Sequence, residues 1–269
     1  MFDYHIHSDF SADCSTPMEK TIEEAIRLNL KEICFTEHID YEYPDPTIDF
    51  DLDVEGYNRK ILEMRQAYSQ EIIIKKGVEI GVQPHLLDQY RSLMKKEVFD
   101  FVICSMHTTE RKDLHSGDFF EGKTVDEAYQ IYYEELLYCV QNYDQFNILG
   151  HLDLVKRYTQ ERSTQDFREI ISEIFKIIIP RGQGIELNTS GYRYGLRGGM
   201  PSKDILQQYK QLGGEIITLG SDSHIETTLG YQFQSSLELL DAIGFTYLAT
   251  FTKQKPTFHS INDLLQSVK

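Results

Sequence analysis

Residues 1–13 read MFDYHIHSDFSAD. Phe2, Tyr4 and Ile6 alternate with Asp3, His5 and His7. Side chains two apart on a strand share a face, so this pattern predicts a strand over 2–7 with Asp3, His5 and His7 on one side. A strand this apolar belongs in a core. Two imidazoles on it, followed by Asp13, point to a site at its end, with Asp3 expected to orient a ligand histidine from behind.

The same kind of segment recurs along the chain. Strands are expected over 2–7, 32–37, 72–80, 98–106, 146–152, 184–189 and 215–221. Each is short and apolar, as strands buried on both faces are. Helical patterns lie between them. Thr16-Pro17-Met18-Glu19 reads as a capping box with proline at the first helical position. Thr124 with Glu127 repeats that signature, Met200-Pro201-Ser202 opens a helix that stops at Gly213-Gly214, and a short helix follows Ser260. Strand–helix alternation predicts a parallel sheet. Seven strands in 269 residues fit a closed α/β barrel in one domain, 1–269, better than an open doubly wound sheet. The long irregular segments, 39–54, 108–123 and 189–200, all follow strands and so fall on the C-terminal face of the barrel.

The polar residues fall on that face too. Of nine histidines, six lie at or just past strand ends: His5, His7, His38, His107, His151 and His224. Glu79 ends the third strand, and Asp222 stands two before His224. Active sites of such barrels sit at the C-terminal strand ends. Those histidines with Asp13, Glu79 and Asp222 read as a metal site. Nitrogen and oxygen donors without thiolate suit Zn, Fe or Mn. Nine ligands exceed the needs of one ion and fit two or three, bridged by a carboxylate and by hydroxide. His85 and His259 read as ordinary surface residues.

The composition is that of a globular protein, 41% hydrophobic and 26% charged. A net charge of −16 argues against a nucleic-acid partner, which needs a basic stripe. No apolar run approaches a membrane span, and a charged residue at position 3 argues against a signal peptide. Four scattered cysteines, Cys14, Cys34, Cys104 and Cys139, read as free thiols in a reducing cytoplasm.

The motifs HIHSDFSAD, FTEH, GVEIG, CSMH, GHLD and GSDSH resemble those of the polymerase and histidinol phosphatase (PHP) superfamily, over nearly the whole chain. Its single-domain layout and the segment ELNTSGYR are similar to the monofunctional histidinol-phosphate phosphatases. The resemblance implies a distorted (β/α)7 TIM-like barrel with three divalent ions. His5, His7, Glu79 and Asp222 would hold one ion. Glu79, His107 and His151 would hold the second, and Asp13, His38 and His224 the third. It also implies hydrolysis of L-histidinol phosphate, a small-molecule substrate, in histidine biosynthesis, by a metal-bridging hydroxide.

On that reading the arginines Arg157, Arg193 and Arg197 are candidate phosphate clamps, since guanidinium matches phosphate bidentately. Lys156 and Lys203 are weaker ones. Asp222 and His224 combine ligand and catalytic roles. The leaving alcohol takes its proton from Asp222, Asp153 or His115, with Asp222 favoured because it lies inside the cluster. The acidic, tyrosine-bearing loop IDYEYPDPTIDFDLD (39–53) is a candidate lip for a cationic substrate, facing a wall that carries Glu110 and His115. Rival readings are a phosphoesterase for another small ester, nucleotide or diester, an amidohydrolase, and a non-catalytic metal-binding module. The sequence does not fix the native metal or the oligomeric state.

Overall fold

The computed structural model describes residues 1–159 and 161–267. Seven parallel strands form one sheet: β1 (Phe2–Ile6), β2 (Glu32–Ile39), β3 (Ile73–Gly81), β4 (Phe101–Ser105), β5 (Ile148–Leu149), β6 (Gly184–Asn188) and β7 (Ile217–Gly220), in that spatial order. Parallel neighbours need crossovers, and helices supply them, among them α1 (Met18–Arg27), α2 (Val54–Ala67), α3 (Leu87–Lys96) and α4 (Val125–Asn142). The sheet curls into a nearly closed (β/α)7 barrel. Every residue of β1, β2, β4, β6 and β7 is buried, which explains their apolar runs.

The barrel closes at a place that matters for the site. Beyond the paired strands, Asp222 N donates to His5 O (2.8 Å) and His7 N donates to Ser223 O (2.9 Å). These bonds join the first strand end to the last. Asp222 holds a left-handed backbone (φ 54°) at this seam, a conformation that aspartate adopts more readily than most residues with a Cβ.

Two expectations about the N-terminal segment are corrected. The β1–β2 register slips between Asp3 and Ile6, one extra residue on β1. This bulge re-aims the strand. Tyr4 meets Phe101 edge-on at 5.0 Å while the adjacent His5 reaches Glu79, so Asp3 leaves the face that His5 and His7 share. Asp3 contacts no histidine ring; it accepts the backbone N–H groups of Ser221 (2.9 Å) and Gly230 (3.1 Å) and so helps close the barrel. Burial raises its pKa to about 6. The second correction is Thr16, which does not cap α1. Its hydroxyl donates to His224 O at 2.9 Å, and Pro17 takes the cap position. The capping box of Thr124 and Glu127 on α4 is present.

A hairpin absent from the sequence reading, β8 (Tyr247–Thr252) with β9 (Lys255–Ser260), plugs the N-terminal end of the barrel. Phe251 N donates to the Tyr4 hydroxyl (2.8 Å), which itself donates to Glu32. His259 belongs to this plug, half-buried against Phe2 (4.3 Å) and hydrogen-bonded to Thr250, rather than being an ordinary surface residue. His85 is exposed and pairs with Glu42. The four cysteines are free and buried. Among the described residues no helix is long and apolar enough to cross a membrane.

Candidate metal centre

Glu79, fully buried at the end of β3, is the middle of the site. Its Oε2 lies 3.0 Å from His5 Nε2, 3.5 Å from His7 Nε2 and 3.2 Å from His38 Nδ1. Its Oε1 lies 3.0 Å from His151 Nε2 and 3.3 Å from His107 Nε2, and takes a hydrogen bond from Ser105 (2.5 Å). Five imidazoles from four strand ends thus converge on one carboxylate. Asp222 Oδ1 lies 3.6 Å from His5 Nε2 and 3.5 Å from His7 Nε2. Asp13, at the rim, lies 3.2 Å from His224 Nε2 and 3.7 Å from His38 Nε2. The nine residues singled out in the sequence therefore stand together.

Crowding carboxylates and imidazoles together shifts the charge state of nearly every group in the site. Burial alone would lower the His5 pKa, but Glu186, Glu79 and Asp222 together outweigh it and raise it well above the ordinary value. His7 goes the other way, down to about 3, through burial and then through the neighbouring His38 and His224. Its ring lies against both of theirs, at 4.2 and 4.3 Å. A neutral imidazole is the form that binds metal. Glu79 and Asp222 are held well below the carboxylate range: burial opposes this, and the surrounding histidines prevail. His7 Nε2 and His38 Nδ1 are buried with no hydrogen-bond partner. Buried polar atoms left without a partner inside a cluster of ligand-type side chains are what a cation would satisfy. Four sets of three donor atoms lie close enough to hold ions: His7, His38 and His224; His5, His7 and Asp222; His5, Glu79 and His151; His38, Glu79 and His107. The donor set fits divalent metal.

Sequence reasoning missed the residues that aim the ligands. Glu186 on β6 lies 2.9 Å from His5 Nδ1 and accepts His151 N–H (2.6 Å). Asp40 lies 2.7 Å from His107 Nδ1. Each fixes the ring so that Nε2 faces the centre. Asp40 stands two after His38 on β2's continuation, the same-face spacing that marked His5 and His7, and that signal was there to be read. Glu37 is a third buried carboxylate. It accepts from Ser8 N, Ser8 Oγ and Ser11 Oγ, bracing the loop between His7 and Asp13. Gly220 leaves room for His5: a Cβ there would run into His5 Cβ and Glu186 Oε2.

Above the cluster opens a cavity of about 530 Å³. Arg157 and His115 line it, as do Tyr43, Phe50, Tyr158 and Tyr194. Arg193 lines it too, but its Nη1 and Nη2 donate to Ser221 O (2.8 Å) and Asp222 O (2.9 Å), pinning the seam. Arg197 is exposed and is not among the lining residues. Asp153 also lies off the cavity. It accepts from Lys156 Nζ (2.7 Å) and Ser202 N (2.9 Å), anchoring the start of the helix Lys203–Gln211. The acid-rich loop sends Tyr43, Ile48 and Phe50 into the cavity and, of its carboxylates, only Asp40, which aims His107. Asp113 from the 108–123 segment also lines it, beside Tyr43, with its oxygens accepting the backbone N–H groups of His115 (2.9 Å) and Ser116 (2.7 Å), while Glu110 pairs with Lys123.

A parallel barrel with clustered imidazoles and carboxylates at its C-terminal mouth, beneath a small-molecule cavity, is the architecture of a metal-dependent hydrolase. Residues 3–190 match the family model of the PHP domain, and the chain belongs to that family. It is 35% identical over 258 residues to a histidinol-phosphatase of Lactococcus lactis subsp. lactis, covering 94% of this chain and 95% of that protein. A probable histidinol-phosphatase of Clostridium acetobutylicum is 30% identical, covering 90% and 93%. The crystal structure of the histidinol phosphate phosphatase from Lactococcus lactis, complexed with Zn, L-histidinol and phosphate, superposes with a TM-score of 0.86 at 34% identity, covering 95% of this chain and 98% of that one.

Proposed function

We propose that this chain is a histidinol-phosphatase, a metal-dependent phosphomonoesterase that converts L-histidinol phosphate to L-histidinol and inorganic phosphate. The observation that carries the reading is the convergence of five imidazoles on Glu79 beneath a cavity lined by the guanidinium of Arg157 and the carboxylate of Asp113. The relatives' names supply the substrate.

Three ions fit the donor set. His5, His7, Glu79 and Asp222 would hold the first, Glu79, His107 and His151 the second, and Asp13, His38 and His224 the third, with Zn, Fe or Mn as candidates. When bound, the ions supply the Lewis acidity that generates hydroxide at neutral pH and offsets charge building on phosphorus. The chain's own residues do the rest. Arg157 receives the outer phosphoryl oxygens. Asp222, held ionised, accepts the nucleophile's proton at Oδ2 and returns it to the departing alkoxide, while Oδ1 faces His5 and His7. Ser190 Oγ donates to that Oδ2 at 3.1 Å and fixes it. Asp113, buried and lining the cavity beside Tyr43, suits the substrate's ammonium, and Tyr43 and Phe50 suit its imidazole. Four buried free thiols agree with a cytoplasmic enzyme.

The test is His107→Ala in metal-replete protein. Turnover of L-histidinol phosphate should fall by about 10³-fold or more with the circular-dichroism spectrum retained. Near wild-type turnover would remove this cluster from the chemistry.

A further inference from the structure

Arg157 is held in an unusual way. It ends the short 3₁₀ turn Leu154–Arg157 with a side chain only 11% exposed. Its Nε is buried without a hydrogen-bond partner. Its nearest carboxylate, Asp222 Oδ2, is 3.7 Å away, an ion pair with no hydrogen bond among the described residues. What touches the guanidinium is an aromatic face. Its Cζ lies 3.2 Å from the centroid of Tyr194 and 5.5 Å from that of Tyr158. An approach as short as 3.2 Å is possible only over the ring face, since an edge would keep the carbon farther out. Tyr194 comes from the glycine-bearing loop that follows β6, and the residue is 53% exposed.

We propose that Tyr194 is a positioning residue that stacks on Arg157 and presents its guanidinium edge to the substrate's phosphate. Stacking occupies the faces of a planar cation, while hydrogen bonding to phosphate occupies its edge. The two do not compete, so the ring fixes the plane and leaves the N–H fork free. The same contact prevents a second outcome. An unrestrained guanidinium beside an ionised carboxylate would close the gap to Asp222 and draw its oxygen from the metal-binding arrangement. Arg193 cannot take the role over, because its two terminal nitrogens already bond the seam carbonyls. Tyr158 lies too far to fix the plane alone.

This inference rests on the phosphatase reading, and the experiment separates the two. Inorganic phosphate binding to Zn-loaded protein is measured by titration calorimetry for wild type, Tyr194→Phe, Tyr194→Leu, Arg157→Ala and the Tyr194→Leu/Arg157→Ala double variant. Tyr194→Leu should weaken phosphate binding about tenfold and Tyr194→Phe less than about threefold. Adding Tyr194→Leu to Arg157→Ala should change nothing further, because the ring acts through the guanidinium. In turnover, the Leu variant should raise KM more than it lowers kcat, with competitive inhibition by L-histidinol unaltered. Unchanged phosphate affinity in Tyr194→Leu, or the same loss with and without Arg157, overturns the proposal. So does weakened L-histidinol inhibition with phosphate binding intact, which would place the ring against the substrate's organic part. Failure of the phosphatase reading would instead appear as a wild-type protein that binds phosphate and turns over no L-histidinol phosphate.

Discussion

Glu186 Oε2 lies 2.9 Å from Nδ1 of His5, and the opposite nitrogen of the same ring faces Glu79 at 3.0 Å. One imidazole therefore links the carboxylate that aims it to the carboxylate at the centre of the site. Glu186→Gln keeps the shape and removes the charge. Metal affinity should fall about 10- to 100-fold, read by competition with a chromophoric chelator. Unaltered affinity would reduce Glu186 to a core filler.

Gly220 tests the same contact from the other side. Gly220→Ala drives a methyl group into His5 Cβ. The ring must shift, and a shift of about 1 Å costs roughly 100-fold in activity. Metal content and kcat should both drop while the thermal midpoint changes by a few degrees. A fully active Gly220→Ala variant would show that His5 does not need its present position.

The acid limb of the stability curve should trace in part to Asp100, far from the metals. Its carboxylate accepts from Arg65 (2.6 Å), Lys76 N (3.1 Å) and Lys253 N (3.0 Å), tying the plug hairpin to the barrel. Burial pushes its pKa up, and these donors outweigh burial and bring it below the ordinary value. A depressed carboxylate pKa contributes stability that is present above the unfolded value, near pH 4, and is lost as pH falls through the folded one. Asp100→Asn should cost about 1–3 kcal/mol at pH 7 and flatten the loss below pH 4, seen by urea melts across pH. An unchanged acid limb would exclude Asp100 as its source.

The plug carries packing energy and no chemistry. Phe251, 1% exposed, packs on Phe101 at 4.9 Å. Phe251→Ala should destabilise by about 3–5 kcal/mol, while metal affinity in the surviving native protein stays at the wild-type value. A selective loss of metal would couple the two ends of the barrel.

The barrel and the ligands were legible because both write periodic signals. Buried parallel strands are apolar runs, and histidines that recur at the ends of several such runs must meet at one mouth once the runs close into a barrel. What stayed hidden depended on distance in space. Glu186 is a lone acid in IELN, and nothing local says that His5 lies behind it. Asp3 read as a partner of His5 because a strand was assumed regular, and the bulge cancelled the period. Thr16 looked like a cap because a capping box is a local pattern, while its real acceptor, the carbonyl of His224, is 208 residues away. The hairpin 247–260 was lost among expectations of parallel strands. Arg193 was a candidate phosphate clamp after Arg157, and the structure engages it with the backbone carbonyls of Ser221 and Asp222.

Phosphate release from L-histidinol phosphate by metal-replete protein, beside p-nitrophenyl phosphate and a phosphodiester, tests the account most directly. It predicts a kcat/KM on L-histidinol phosphate about 10³-fold or more above the other two, since binding contacts remote from phosphorus, at Asp113 and the aromatic wall, are used in the transition state. Slow and similar rates on all three would contradict it, leaving the metal centre in place and the cavity matched to a different ester.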